Sequence, residues 1–190
     1  RGDPQPRSPG HFPELDGKGD EGLTMGRISM KNFQPPPEAL PPEQPVYVAP
    51  SLGTPSTVVK VALDLVGLKP DELFCDLGAG DGRVLYAAAR RGALAIGVEL
   101  KAELVDEIRK QVTREGLDGK VYITRGDLYG FDYVRQADVV YAFLDDKGNE
   151  VLRSRLERTL RPGTRVVTYW YRIPGWKPVK KVRVRDPEDK

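Results

Sequence analysis

Three acids stand at the ends of three short apolar stretches, and together they outline a binding site. Asp76 lies within Phe74-Cys75-Asp76-Leu77, Glu99 closes Ala95-Ile96-Gly97-Val98-Glu99, and Asp127 follows Val121-Tyr122-Ile123-Thr124 after two residues. Gly78, Gly80 and Gly82 alternate directly behind the first stretch, with Ala79 and Asp81 between them. Such a run turns the backbone sharply and admits a ligand where a Cβ would clash. The spacing is G-x-G-x-G, not the G-x-G-x-x-G of dinucleotide sites. Asp76 and Asp81 would repel a pyrophosphate and attract a cation. An acid about twenty residues past a glycine loop, as Glu99 is, accepts hydrogen bonds from ribose hydroxyls in nucleotide-binding α/β folds. The ligand favoured here therefore carries both a cationic amino-acid end and a ribose.

The intervening sequence supplies elements that would hold these acids together. Residues 84–89 read as a helix directly after the glycines. Thr54-Pro55-Ser56 is expected to cap an earlier helix with apolar Val58, Val59, Ala62, Leu63 and Val66, ended by Gly67 and Pro70. Leu104, Val105, Ile108 and Val112 form one helical stripe, and Val151, Leu152, Leu156 and Leu160 another. Residues 137–144 and 164–173 read as fourth and fifth strands. Alternating strands and helices imply an α/β fold, a doubly wound Rossmann-like parallel sheet with right-handed crossovers. Ligands bind such sheets at the carboxyl ends of the strands. S-adenosylmethionine (SAM) has the required cationic amino acid and ribose. Asp76, Gly78, Ala79, Gly80 and Asp81 would meet its amino-acid part, Glu99 its ribose, and Asp127 with Leu128 its adenine. Each acid alone fits a solvated strand end, and the glycines alone fit any α/β turn.

Residues 46–186 resemble a class I SAM-dependent methyltransferase and, more narrowly, the seven-β-strand protein-lysine methyltransferases. That group includes the broad-specificity archaeal enzyme and the mitochondrial enzymes acting on the adenine-nucleotide translocase or the ATP synthase c subunit. The resemblance rests on Tyr47-Val48-Ala49-Pro50 with Thr54-Pro55, on the run from Asp76 to Arg83, on Gly97-Val98-Glu99-Leu100, on the Leu-Arg-Pro-Gly-Thr-Arg-Val-Val run at 160–167, and on Pro174-Gly175-Trp176. It implies a methyltransferase domain over 46–190, with Thr54 beside the cofactor and protein lysines as substrates, this protein's own exposed lysines among them. It also implies two closing strands beside the fifth. Lys181-Val182-Arg183-Val184-Arg185 would supply the first, and the sequence stops before a second.

Lysine must lose a proton before it can attack a methyl group, at a cost of about 4–5 kcal/mol at pH 7. An apolar or aromatic channel lowers that cost by disfavouring the ammonium. Tyr47, Phe143 and Trp170, with Tyr171, are the aromatics expected near such a channel. Each alone is equally at home in a core. The one histidine, His11, lies in a proline-rich stretch, so no histidine base is expected, and no metal. An RNA or small-molecule methyltransferase, or a SAM-binding module without turnover, remains an alternative. The basic cluster of Lys177, Lys180, Lys181, Arg183 and Arg185 favours RNA. Against it, Ala142-Phe143-Leu144-Asp145 lacks the Asn/Asp-Pro-Pro-aromatic pattern of enzymes acting on base amines.

Composition bounds the rest. Net charge is +2, giving no global nucleic-acid footprint. The lone Cys75, in an apolar strand, suits a reducing cytoplasm and a buried, inert thiol. No apolar run is long enough for a membrane span, and no signal peptide is read. Residues 1–45 hold ten of the 17 prolines, so a disordered or extended tail is expected there.

Overall fold

The computed structural model describes residues 53–184. Tyr47, His11, the 1–45 segment and Arg185 lie outside the described residues. The order of elements is α1 (Ser56–Leu65), β1 (Leu73–Leu77), α2 (Arg83–Arg90), β2 (Leu94–Glu99), α3 (Ala102–Arg114), β3 (Val121–Arg125), two short 3-10 turns (Leu128–Gly130 and Asp132–Gln136), β4 (Val139–Ala142), α4 (Asp146–Thr159) and β5 (Arg165–Thr168). The strands form one parallel sheet in the order β3-β2-β1-β4-β5. The chain steps outward from β1 through β2 to β3, then returns to the other side of β1. The reversal between β1 and β4 is the crevice where open α/β sheets take their ligands.

Alternation along the strands sorts the core into two layers. Phe74, Ala95, Val139, Tyr141 and Val167 pack with Val59 and Leu63 of α1, Val84 and Leu85 of α2, and Ile108 and Val112 of α3. Leu73, Cys75, Leu77, Ile96, Val98 and Val140 face the opposite layer, made by Leu152 and Leu156 of α4 with Tyr129, Phe131 and Val134 of the 3-10 turns. Asp76 alternates with Cys75 and Leu77 and so shares the α1–α2 side with Phe74. The helices on that side lie close to the sheet. A Cβ on Gly97 would come within 2.7 Å of Leu85 Cδ1, so only glycine lets α2 pack there. Overpacking of this kind costs about 1–3 kcal/mol.

Most expected elements are present, with boundaries moved for identifiable reasons. Residue 55, a proline, is the N-cap of α1, and no side chain caps it. The Thr54 hydroxyl, expected to cap, instead bonds Tyr141. At the other end of α1 the expected Gly67 stop is observed. Gly67 has φ +61°, its N–H donates to Asp64 O, and Leu68 N–H donates to Leu63 O, which closes the helix. Only four residues of the expected fifth strand, 165–168, are strand, because the backbone turns over at Trp170. Residues 181–184 form no strand, contrary to the first closing strand expected at 181–185. Val182 there and Val179 just before are exposed, so burial offers nothing to fix an added edge strand.

Candidate active site

The glycine loop is tied to β2 by backbone bonds from both sides. Gly78 N–H and Ala79 N–H both donate to Val98 O, at 3.0 Å each. The Glu99 carboxylate accepts Gly80 N–H at 2.9 Å and Lys101 N–H at 3.0 Å. Two bonds leave about two of its four lone-pair positions for a ligand's hydroxyls. Gly80 has φ +57°, and a Cβ built on it meets nothing within 4 Å, so its outer face is open. Leu128 Cδ2 lies 3.6 Å from a Cβ position on Gly78, so the segment after β3 folds over this loop. Asp127 sits at the expected place after β3, and its carboxylate accepts Tyr129 N–H at 2.9 Å, fixing the 3-10 turn.

Asp76 is the unusual group. It is 1% exposed, and its Oδ2 has no hydrogen-bond partner among the described residues. Burial first, then the charges of Glu99 and Asp81, push its carboxyl well above the ordinary range. A lone buried carboxyl is unfavourable unless something cationic or hydrogen-bonding meets it. Asp81 goes the other way. Burial would raise it, but the Arg83 guanidinium, bonded to both of its oxygens, holds it below the usual carboxylate range. Arg83 also donates through Nη1 to Thr54 O at 2.9 Å, so it links the loop to the segment before α1. Thr54 Oγ1 lies 2.7 Å from the Tyr141 hydroxyl, and Tyr141 is the β4 residue in register with Asp76. Burial lifts the Tyr141 phenol above its usual range. It stays a neutral hydrogen-bonding group.

Aromatic side chains occupy the carboxyl ends of the other two strands. Phe143 follows β4 and Tyr169 follows β5, and their rings meet edge to face at 4.7 Å. Trp170 meets Tyr169 at 5.9 Å, again edge to face. Tyr169 N–H donates to Ala142 O, holding the two strand ends together. The expected residues Thr54, Asp76, Gly78, Ala79, Gly80, Asp81, Glu99, Asp127, Leu128, Phe143 and Trp170 thus lie at or beside the carboxyl edge of the sheet. Sequence reasoning missed Tyr141, Arg83 and Tyr169 as site residues. Tyr141 was legible only as a strand residue, since its opposition to Asp76 depends on the β1–β4 register.

The ANTKMT methyltransferase domain model matches residues 76–180. A protein-lysine N-methyltransferase of Saccharolobus islandicus is 36% identical over 139 residues, covering 72% of this chain and 86% of its own. The chain belongs to this methyltransferase family. The mouse adenine nucleotide translocase lysine N-methyltransferase is 34% identical over 134 residues, covering 70% of this chain and 58% of its own. Among solved structures, an RNA methyltransferase from Salinibacter ruber bound to S-adenosyl-L-homocysteine superposes with a TM-score of 0.68. It is 35% identical and covers 70% of this chain and 87% of its own. The fold is therefore the SAM-dependent methyltransferase fold, and SAM is the cofactor. The residues fit it: Asp76 offers a buried carboxyl whose Oδ2 is unsatisfied, Gly80 an open backbone face, and the acids around them suit a cationic ligand.

Proposed function

We propose that this protein transfers a methyl group from SAM to the ε-amine of lysine residues in other proteins. Bound SAM supplies the electrophilic methyl group. Asp76 holds the cationic amino-acid end, Glu99 the ribose, and Asp127 with Leu128 border the adenine. Phe143 and Trp170 border the path of the lysine, and the family resemblance assigns Tyr47, outside the described residues, to the same role. The observation that carries this reading is the aromatic series at the ends of β4 and β5. It contains no histidine or cysteine base, and an amine entering it would be stripped of water. Desolvation disfavours the ammonium, and a neighbouring sulfonium cation disfavours it further. What remains for the protein is alignment of amine, methyl carbon and sulfur, a contribution of about 7–11 kcal/mol in well-oriented reactions.

The similarity to the archaeal protein-lysine methyltransferase supports this substrate class. A second reading, RNA methylation, is favoured by the name of the Salinibacter ruber relative and by exposed Lys177, Lys180, Lys181 and Arg183. Labelled SAM separates them when incubated with the protein alone, with a lysine-rich protein, and with RNA. Label is expected on the added protein, with some on the enzyme's own exposed lysines. Label on RNA alone would replace this reading with the second. Among the described residues no helix is long and apolar enough to cross a membrane.

A further inference from the structure

Trp170 occupies a position that neither turn chemistry nor packing explains. Its φ is +65°, a left-handed value that bulky side chains rarely adopt. Tyr171 N–H donates to Tyr169 O at 2.8 Å, two residues back, so Trp170 is the centre of a γ-turn of the rare, strained hand. Glycine would adopt that turn freely. Burial does not offset the strain, because Trp170 is 75% exposed and touches Tyr169 only edge-on. Its indole N–H has no partner among the described residues. The turn lies immediately past β5, on the carboxyl side of the sheet with the glycine loop. Strained residues of this kind concentrate at ligand clamps, where the surroundings hold them for a purpose other than stability.

We propose that the γ-turn presents the Trp170 ring as the docking face for an extended stretch of substrate polypeptide, receiving the lysine ammonium before Tyr169 and Phe143 strip it of water. This rests on the lysine reading above and deepens it: Trp170, already placed on the lysine's path, sets affinity for the substrate polypeptide without touching the cofactor. The order of the rings supports it. Trp170 is exposed, Tyr169 and Phe143 are half-buried, and Tyr141 and Asp76 behind them are buried. A lysine ammonium is therefore met first at an exposed ring, where cation–π attraction acts, and then at half-buried rings that desolvate it. The similarity to protein-lysine methyltransferases favours a polypeptide over RNA as the occupant.

The test compares wild type with Trp170→Gly, Trp170→Asn and Trp170→Phe, using labelled SAM and an unstructured lysine-containing peptide. Gly and Asn both accept the left-handed turn without the ring. They should keep SAM affinity and hold or raise the melting temperature, while KM for the peptide rises about tenfold. Trp170→Phe should restore most of the peptide KM. An unchanged KM in the Gly variant would overturn the proposal, as would failure of Phe to restore it. A KM effect seen with RNA and absent with the peptide would also overturn it. Wild-type enzyme that labels no lysine at all would instead defeat the lysine reading itself, and the two failures are thereby distinct.

Discussion

The two halves of the carboxyl edge are built differently. Around β1 and β2 the functional atoms are set by backbone: Gly78 and Ala79 anchor to Val98, and the Glu99 carboxylate is fixed by accepting two backbone N–H hydrogen bonds. Around β4 and β5 the groups are side-chain rings touching edge to face, ending in an exposed tryptophan on a strained turn. A cofactor of fixed shape is met by rigid amides and carboxylates. A protein substrate that varies in sequence around its lysine is met by rings, which offer area and cation–π attraction without demanding one hydrogen-bond pattern. The unsatisfied Oδ2 of buried Asp76 shows that the first half is not optimised for stability either. It trades burial for charge recognition.

Breaking the first half at its centre should have the largest effect. Asp76→Asn removes the buried carboxyl that SAM would ionise, and SAM affinity should fall by about 2–3 kcal/mol by calorimetry. The melting temperature of the cofactor-free protein should hold or rise. The sign follows from the raised carboxyl. Its contribution to stability is present below the ordinary carboxylate range and is lost as pH rises through the higher folded value. SAM binding should correspondingly release a proton and weaken as pH drops below that value. Calorimetry in two buffers of different ionisation enthalpy reads this, and a release equal to that of Asp76→Asn would remove Asp76 from the account.

Glu99→Ala comes next. It should cost roughly 1.5–3 kcal/mol of SAM affinity, the range for hydrogen bonds to a charged group. It also frees the Gly80 amide, so amide exchange at Gly80 should quicken. Unchanged affinity in a folded variant would remove the ribose assignment. Tyr141→Phe should have the smallest effect of the three. It takes the partner from the buried Thr54 hydroxyl, lowering stability by about 1–3 kcal/mol in denaturant titration. SAM affinity should change less than in Asp76→Asn, because the Tyr141 hydroxyl bonds Thr54. A large loss of SAM binding with unaltered stability would place Tyr141 among the cofactor's contacts instead.

The same division decides what the sequence could reveal. Asp76, Gly78, Gly80 and Glu99 were legible because each is a local signal, an acid or glycine at a strand end, and backbone geometry follows directly from residue type. The alternation of strands and helices was likewise local. The Thr54 cap failed because a hydroxyl's partner lies wherever the fold brings one, here Tyr141, 87 positions away. Tyr169 was hidden inside an aromatic run whose members differ only in the turn they occupy. The early end of β5 follows from the left-handed backbone at Trp170, a conformation no propensity assigns to tryptophan. Residues 181–184 have strand-like alternation yet form no strand, since alternation reports a face to bury and nothing among the described residues covers this one.

The claim that the amine is activated by desolvation, without a protein base, is tested most directly by the pH dependence of turnover on a lysine-containing peptide at saturating SAM. The account predicts a rate that climbs with pH toward and beyond about 8, tracking the neutral fraction of lysine. The methylated product should carry its added groups on lysine by mass spectrometry. A rate that levels off below about pH 7 would reveal a general base and contradict the account.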